Sequence, residues 1–268
     1  MGYEAHYHNG VLLIRKSMIE DYTFCPYRFK KVWIDDVQRV PNQVMLIGTR
    51  FHDFAKKFFD YCGTYPPEYW DRFIPKEFIQ VEKEMAQWFI DYERERLKTL
   101  EAEGRKDDWR PIMREHNMKS TKLFLEGTCD RIDWFDRSKE EIVIVEYKTG
   151  RSTNDTAFVR QLAFYSMLWQ DTAQMGDVAC LRLINPRLQI VKDYKIDRWQ
   201  TDRVLKDVVA IRDALKKKEF KPKCSLIKLA MCKMCTPEES GCAKPLEGDF
   251  EDYVDWEEDF DFGCIYNY

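Results

Sequence analysis

The sequence predicts an α+β domain: a helical N-terminal half, then a central mixed sheet flanked by helices. Three observations carry this expectation. Apolar residues recur at helical spacing across much of 17–98, the period shortens to alternating or β-branched runs between 122 and 147, and helical spacing returns after Gly150. The chain has 268 residues, 44% apolar and 34% charged, which is enough to bury a sizeable core. Eleven glycines and 15% aromatic residues exclude collagen-like and low-complexity classes.

Residues 17–31, SMIEDYTFCPYRFKK, predict a short helix opening at Ser17, a break at Cys25-Pro26, and a second aromatic and basic turn. Residues 49–61 place Phe51, Phe54, Phe58 and Phe59 on one helical face. A helix over 77–98 aligns Phe78, Val81, Met85, Trp88, Phe89 and Tyr92 in one apolar stripe. Residues 122–128, 130–136 and 141–147 then read as a three-stranded meander, with Gly127 as a turn and DRSKEE before the last strand. Phe158, Leu162, Tyr165 and Trp169 recur at three or four, a helix. Strands at 178–184 and 189–196 meet at Asn185-Pro186-Arg187, and a final helix covers 201–218. The expected organisation is one domain over 1–246 with a helical insertion at about 60–120, followed by an acidic, aromatic tail at 247–268.

The net charge of −4 conceals an asymmetry. The last 22 residues hold nine Asp or Glu and no Lys or Arg, leaving 43 basic against 38 acidic residues, a body of about +5 that suits a polyanionic partner. The tail is either solvated, a competitor for the basic groove, or a docking segment for a DNA-processing partner. No apolar run approaches the roughly 18–20 residues that cross a bilayer, and the opening residues lack a signal-peptide pattern. A cytoplasmic or nucleoid-associated protein with no membrane contact is expected. In that setting nine cysteines point to metal ligation in preference to disulfides.

The strand IVIVEYKTG places Glu146 and Lys148 on one face and Tyr147 on the other. Acid-x-Lys alone is uninformative, since it recurs at Asp193-x-Lys195 and Glu219-x-Lys221. What distinguishes Glu146 is the preceding strand, where Asp130 falls within cross-strand reach. Two adjacent carboxylates repel unless protonated or bridged by a cation, and hard oxygen donors suit Mg2+ or Mn2+. The chemistry that fits is phosphodiester hydrolysis. Asp130 and Glu146 would hold the metal, and Lys148 would position water or neutralise charge on phosphorus. His52 offers a nitrogen ligand, and Gln161 and Tyr165, four apart on one helix face, can reach substrate or orient Lys148.

Gly48-x-x-x-His52, Gly127-x-x-Asp130, Glu146-Tyr147-Lys148-Thr149-Gly150 and Gln161-x-x-x-Tyr165 resemble, in order, the motifs of the PD-(D/E)XK nucleases in their RecB-like branch. The resemblance implies a restriction-endonuclease-like core, metal binding at His52, Asp130, Glu146 and Tyr147, and exonuclease action on single-stranded DNA or DNA ends. No G-x-x-x-x-G-K-[ST] motor motif is present, so the protein is expected to work alone or with a separate helicase, integrase or single-strand-binding partner. Recombination and repair, phage DNA processing and CRISPR adaptation remain open as settings.

Cys232-x-x-Cys235 followed by Cys242 clusters three thiolates. Local spacing supplies Cys224 as the fourth ligand of a zinc site. The resemblance instead supplies Cys25 and a 4Fe-4S cluster, as in the AddB subunit and the CRISPR-associated RecB-like exonucleases, clasping the N- and C-terminal segments. A non-catalytic nucleic-acid-binding protein with a four-cysteine Zn2+ site is the competing reading.

Overall fold

The computed structural model describes residues 7–37, 41, 43–151, 155–172 and 175–223. A short pair, β1 (Tyr7–His8) and β2 (Val11–Leu12), leads into α1 (Lys16–Phe24) and α2 (Pro26–Trp33). Pro26 heads α2, where a missing N–H costs nothing, and the Cys25 N–H closes α1 by donating to Asp21 O at 2.9 Å. Two long helices follow, α3 (Gln43–Thr64) and α4 (Gln80–Ala102).

Five strands then form one sheet in spatial order: β3 (Met113–Ser120), β4 (Leu125–Asp136), β5 (Glu141–Tyr147), β6 (Asp177–Asn185) and β7 (Ile190–Tyr194). All neighbours are antiparallel except β5 and β6, which α5 (Asp155–Thr172) joins as the crossover that parallel strands require. The last described helix is α6 (Arg198–Lys217), opened by an Asp197–Gln200 capping box.

The sheet lies between two helical layers. Met18, Phe29, Leu162, Leu168, Val204 and Ile211 from α1, α2, α5 and α6 cover one face, against Ile142 and Ile144 of β5. Phe51, Phe58 and Phe89 from α3 and α4 cover the other, against Val143, Val145 and Tyr147. β5 is therefore buried on both sides, which is why it reads as a near-continuous apolar run. The mixed sheet flanked by helices agrees with the expected fold class.

Three expectations are corrected. The runs 122–128 and 130–136 are one twelve-residue strand, β4, and not two strands around a turn. Gly127 sits inside it because α5 passes so close that a Cβ would lie 2.9 Å from the Phe164 ring and 3.1 Å from Tyr165. The reversal lies earlier, at residues 121–124, where Ser120 Oγ accepts the Leu123 N–H at 2.8 Å. Consequently the third strand of the meander is β3, inside the 60–120 window read as helical. Finally, α3 starts six residues before the expected 49, at Gln43; Val44, Met45 and Leu46 lead it as exposed residues and so add nothing to an apolar stripe.

Candidate active site

The site forms where the antiparallel β4–β5 ladder ends. Its last paired residues on this side are Arg131 and Val145, so Asp130 and Glu146 come next, opposite each other. Instead of ladder bonding, Asp130 Oδ2 accepts the Tyr147 N–H at 2.6 Å. The side-chain alternation of β4 also changes phase here. Cys129 and Ile132, three apart, both face the α5 layer, whereas Arg131 bonds Glu93 of α4 on the opposite side. β3 breaks at the same level. Its register places Arg114 opposite Arg131 and His116 opposite Cys129, so Glu115 falls opposite Asp130, with a left-handed backbone (φ 48°). Glu115, Asp130 and Glu146 therefore make one row across three neighbouring strands.

α3 delivers His52 to this row, with Nδ1 3.0 Å from Asp130 Oδ1. Gly48, one turn earlier, lies where a Cβ would come 3.1 Å from Thr149 Oγ1, so glycine lets α3 approach the end of β5. On the α5 side, Glu146 Oε1 accepts from Lys148 Nζ at 2.9 Å and from Gln161 Nε2. Glu146 Oε2 is buried and has no hydrogen-bond partner. Tyr165 is buried beside Gln161 and packs where Gly127 leaves space. The structure thus brings together His52, Asp130, Glu146, Lys148, Gln161 and Tyr165. Tyr147 contributes only main chain to this face, since its hydroxyl lies on the far side and accepts from Arg131 Nη1 at 2.9 Å.

Electrostatics follow from this crowding. Burial and the neighbouring Asp130 push the Glu146 carboxyl above its ordinary range, against the pull of Lys148 and Lys16. Burial and Asp130 likewise raise Glu115. For His52, burial works downward, but the hydrogen bond and charge of Asp130, with help from Glu146, raise the imidazole overall. Burial alone would lower Lys148; Glu146 outweighs it and holds the ammonium charged. The Tyr165 phenol is raised by burial, then by Glu146 and Asp130, and stays protonated.

Donor atoms of His52, Glu115 and Asp130 all lie within 4.8 Å of one another, a group that does not take in the expected ligand Glu146. Octahedral Mg2+ with bonds of about 2.1 Å needs donors about 3.0 Å apart when adjacent and about 4.2 Å when opposite. The donor chemistry, the spacing and the orphaned Glu146 oxygen all fit a divalent cation.

Two neighbours of this site were not singled out from the sequence. Glu115, in REHNMKS, carries no motif and lay in a stretch assigned to helix. Lys16, at the start of α1, pairs with Glu20 at 3.3 Å, and burial followed by the repulsion of Lys148 lowers its pKa. The Ser17-opened helix was the available signal.

Beneath the row, Arg131 is fully buried between Glu93 Oε1 at 2.7 Å and Asp133 Oδ2 at 2.9 Å, and Arg96 bonds Glu93 Oε2 at 2.9 Å. Two cations and two anions cancel, and the group anchors the strand carrying Asp130.

A family model described as the PD-(D/E)XK nuclease superfamily matches residues 16–239. The chain belongs to the PD-(D/E)XK nuclease superfamily. The match supports nuclease activity on a nucleic-acid substrate, and PD-(D/E)XK nucleases use divalent metals. A crystal structure from Eubacterium rectale, described as a "putative exonuclease", is similar in fold, with a TM-score of 0.52 and 12% identity over 95% of this chain and 96% of that one. No curated protein matches.

Of the expected cysteine ligands, Cys25 lies at the α1–α2 junction, buried, and its Sγ accepts the Lys223 N–H at 3.4 Å. Cys232, Cys235, Cys242, the alternative ligand Cys224 and the tail 247–268 lie outside the described residues. No described helix is long and apolar enough to cross a membrane.

Proposed function

We propose that the protein is a divalent-metal-dependent DNA exonuclease acting on single strands or DNA ends. The observation that carries the reading is Glu146: a carboxylate nine-tenths buried, with one oxygen held by Lys148 and Gln161 and the other without a partner, directly across from Asp130 and His52. Such an oxygen is costly to bury unless a cation meets it.

His52, Asp130 and Glu146, with the main chain of Tyr147, would hold Mg2+ or Mn2+, and the imidazole nitrogen tilts the preference toward Mn2+. When bound, the ion supplies Lewis acidity toward the scissile phosphate and acidifies water. Gln161 fixes the rotamer of Glu146. Lys148, held charged by Glu146, offsets negative charge growing on the phosphate in the transition state. On α2, the Lys30 and Lys31 ammonium groups lie 5.9 and 5.6 Å from the Tyr27 ring centre, an aromatic-cationic surface that suits an unpaired strand.

Cleavage of end-labelled linear and covalently closed circular DNA, single- and double-stranded, with and without Mn2+, tests the proposal. Metal-dependent release of label from linear DNA by wild type, with none by Asp130→Ala and none from circles, is expected. Equal digestion by both proteins would reject the assigned site, and binding without digestion by either would favour a non-catalytic binding protein.

A 4Fe-4S cluster on Cys25, Cys232, Cys235 and Cys242 belongs to the same proposal. Its support is the return of the chain to Cys25: Phe220 stacks on Phe29 at 6.0 Å, and Lys223, one residue before Cys224, donates to Cys25 Sγ. Visible charge-transfer absorption that disappears in Cys25→Ser supports it. A colourless protein holding one Zn2+ through Cys224 would replace it. A helicase, an integrase or a single-strand-binding protein would supply the substrate in repair, phage DNA processing or CRISPR adaptation.

A further inference from the structure

We infer that Glu115 is a direct ligand of the catalytic cation, so that β3 supplies a further side-chain donor beside His52 of α3, Asp130 of β4 and Glu146 of β5. This rests on the metal-dependent reading above and adds a residue that none of the four sequence motifs contains.

The geometry has three independent parts. The first is distance: one donor atom each from His52, Glu115 and Asp130 lies within 4.8 Å of the other two, and the His52–Asp130 edge of 3.0 Å equals the edge of an octahedron with bonds of about 2.1 Å. The second is placement. Glu115 falls opposite Asp130, as Asp130 falls opposite Glu146, so the three carboxylates form a row perpendicular to the strands. The third is the buried Oε2 of Glu146 in that row, a carboxylate oxygen that no donor among the described residues meets.

Backbone conformation adds to this. Glu115 occupies the left-handed region, which a glutamate seldom adopts, whereas Asn and Asp enter it more readily. Its carboxylate has no hydrogen bond or ion pair among the described residues. A half-buried carboxylate facing two more acids is repelled by them in the absence of a cation. With a cation present, the same three charges become its ligands. His52 then contributes the one nitrogen and Glu115 the extra oxygen, while Glu146 remains the carboxylate shared with Lys148 and Gln161.

The experiment is Mn2+ titration of the full-length protein by isothermal calorimetry, with free Mn2+ followed by electron paramagnetic resonance. Wild type, Glu115→Gln and Glu115→Asn are compared, each with its thermal midpoint in EDTA. Asn removes the carboxylate while suiting the backbone, so a folded carboxylate-free protein is obtainable even if Gln disturbs the strand. Losing a ligand should weaken Mn2+ binding at least about 10-fold, since removal of mere outer-shell partners costs that much. EDTA midpoints should match or exceed that of wild type. Wild-type affinity in either folded variant would overturn the ligand assignment and leave the nuclease reading intact. A wild type that neither binds Mn2+ nor cleaves DNA would overturn both.

Discussion

Replacing Glu93 by Gln removes one charge from the core without changing side-chain shape. Glu93 is fully buried on α4 and accepts from Arg131 Nη1 at 2.7 Å and from Arg96 Nε at 2.9 Å. The substitution leaves two guanidinium groups with Asp133 as their nearby carboxylate, 2.9 Å from Arg131 and 3.6 Å from Arg96. Breaking a buried pair from one side costs about 3–5 kcal/mol, because the remaining charge stays desolvated. Asp133 compensates part of this, which points to the lower end, about 3 kcal/mol. In a domain of this size that corresponds to a fall in Tm of roughly 6–12 °C. Glu95→Gln on the same helix is the control: Glu95 is exposed and its pair with Lys98 spans 3.4 Å, so its loss should cost under about 0.5 kcal/mol. Urea denaturation at pH 7 reads both.

The pH dependence has a definite sign. Burial works to raise the Glu93 pKa, but the charges of Arg131 and Arg96 hold it below the ordinary 4.5. A depressed carboxyl stabilises the fold above its unfolded-state value, and that contribution is lost as pH falls through the folded value. The gap between wild type and Glu93→Gln should therefore be full above pH 4.5 and shrink below it. A gap under about 1 kcal/mol at pH 7, or one that widens in acid, would refute this account of the buried network.

Gly127→Ala should destabilise by about 1–3 kcal/mol through overpacking, because the added methyl meets the buried Phe164 and Tyr165 rings; a raised Tm would contradict the close α5 approach. Lys148→Met should abolish cleavage while sparing the fold, since it removes the ammonium charge and keeps stem volume. Cleavage assays and calorimetry check both parts. Cys62 and Cys129 are buried with thiol pKa values raised by burial, so iodoacetamide should leave them unmodified in the native protein and label them in urea, as peptide mass mapping would show.

Much of the fold was legible from periodicity. The break at Cys25-Pro26, the β5 run, the α5 stripe and the β6–β7 turn all lie where residue chemistry put them. Errors arose where tertiary contact decided. Gly127 looked like a turn because glycine more often serves that purpose, yet its role is to admit the Phe164 and Tyr165 rings. β3 was missed because MREHNMKS is an edge strand with mixed polar residues and no clean alternation; its pairing with β4 makes it a strand.

For the site, the grouping of His52, Asp130, Glu146 and Lys148 was legible in the sequence, because a period of two puts Glu146 and Lys148 on one face and motif order links them to Asp130 and His52. Tertiary structure alone decided that Glu115 joins this row, that Glu146 keeps one oxygen unpartnered, and that Arg131 rests on Glu93 beneath them. The physical reason is range. Backbone periodicity is set by neighbours a few residues away, whereas a ligand set or a buried charge network depends on distances between strands and helices far apart along the chain.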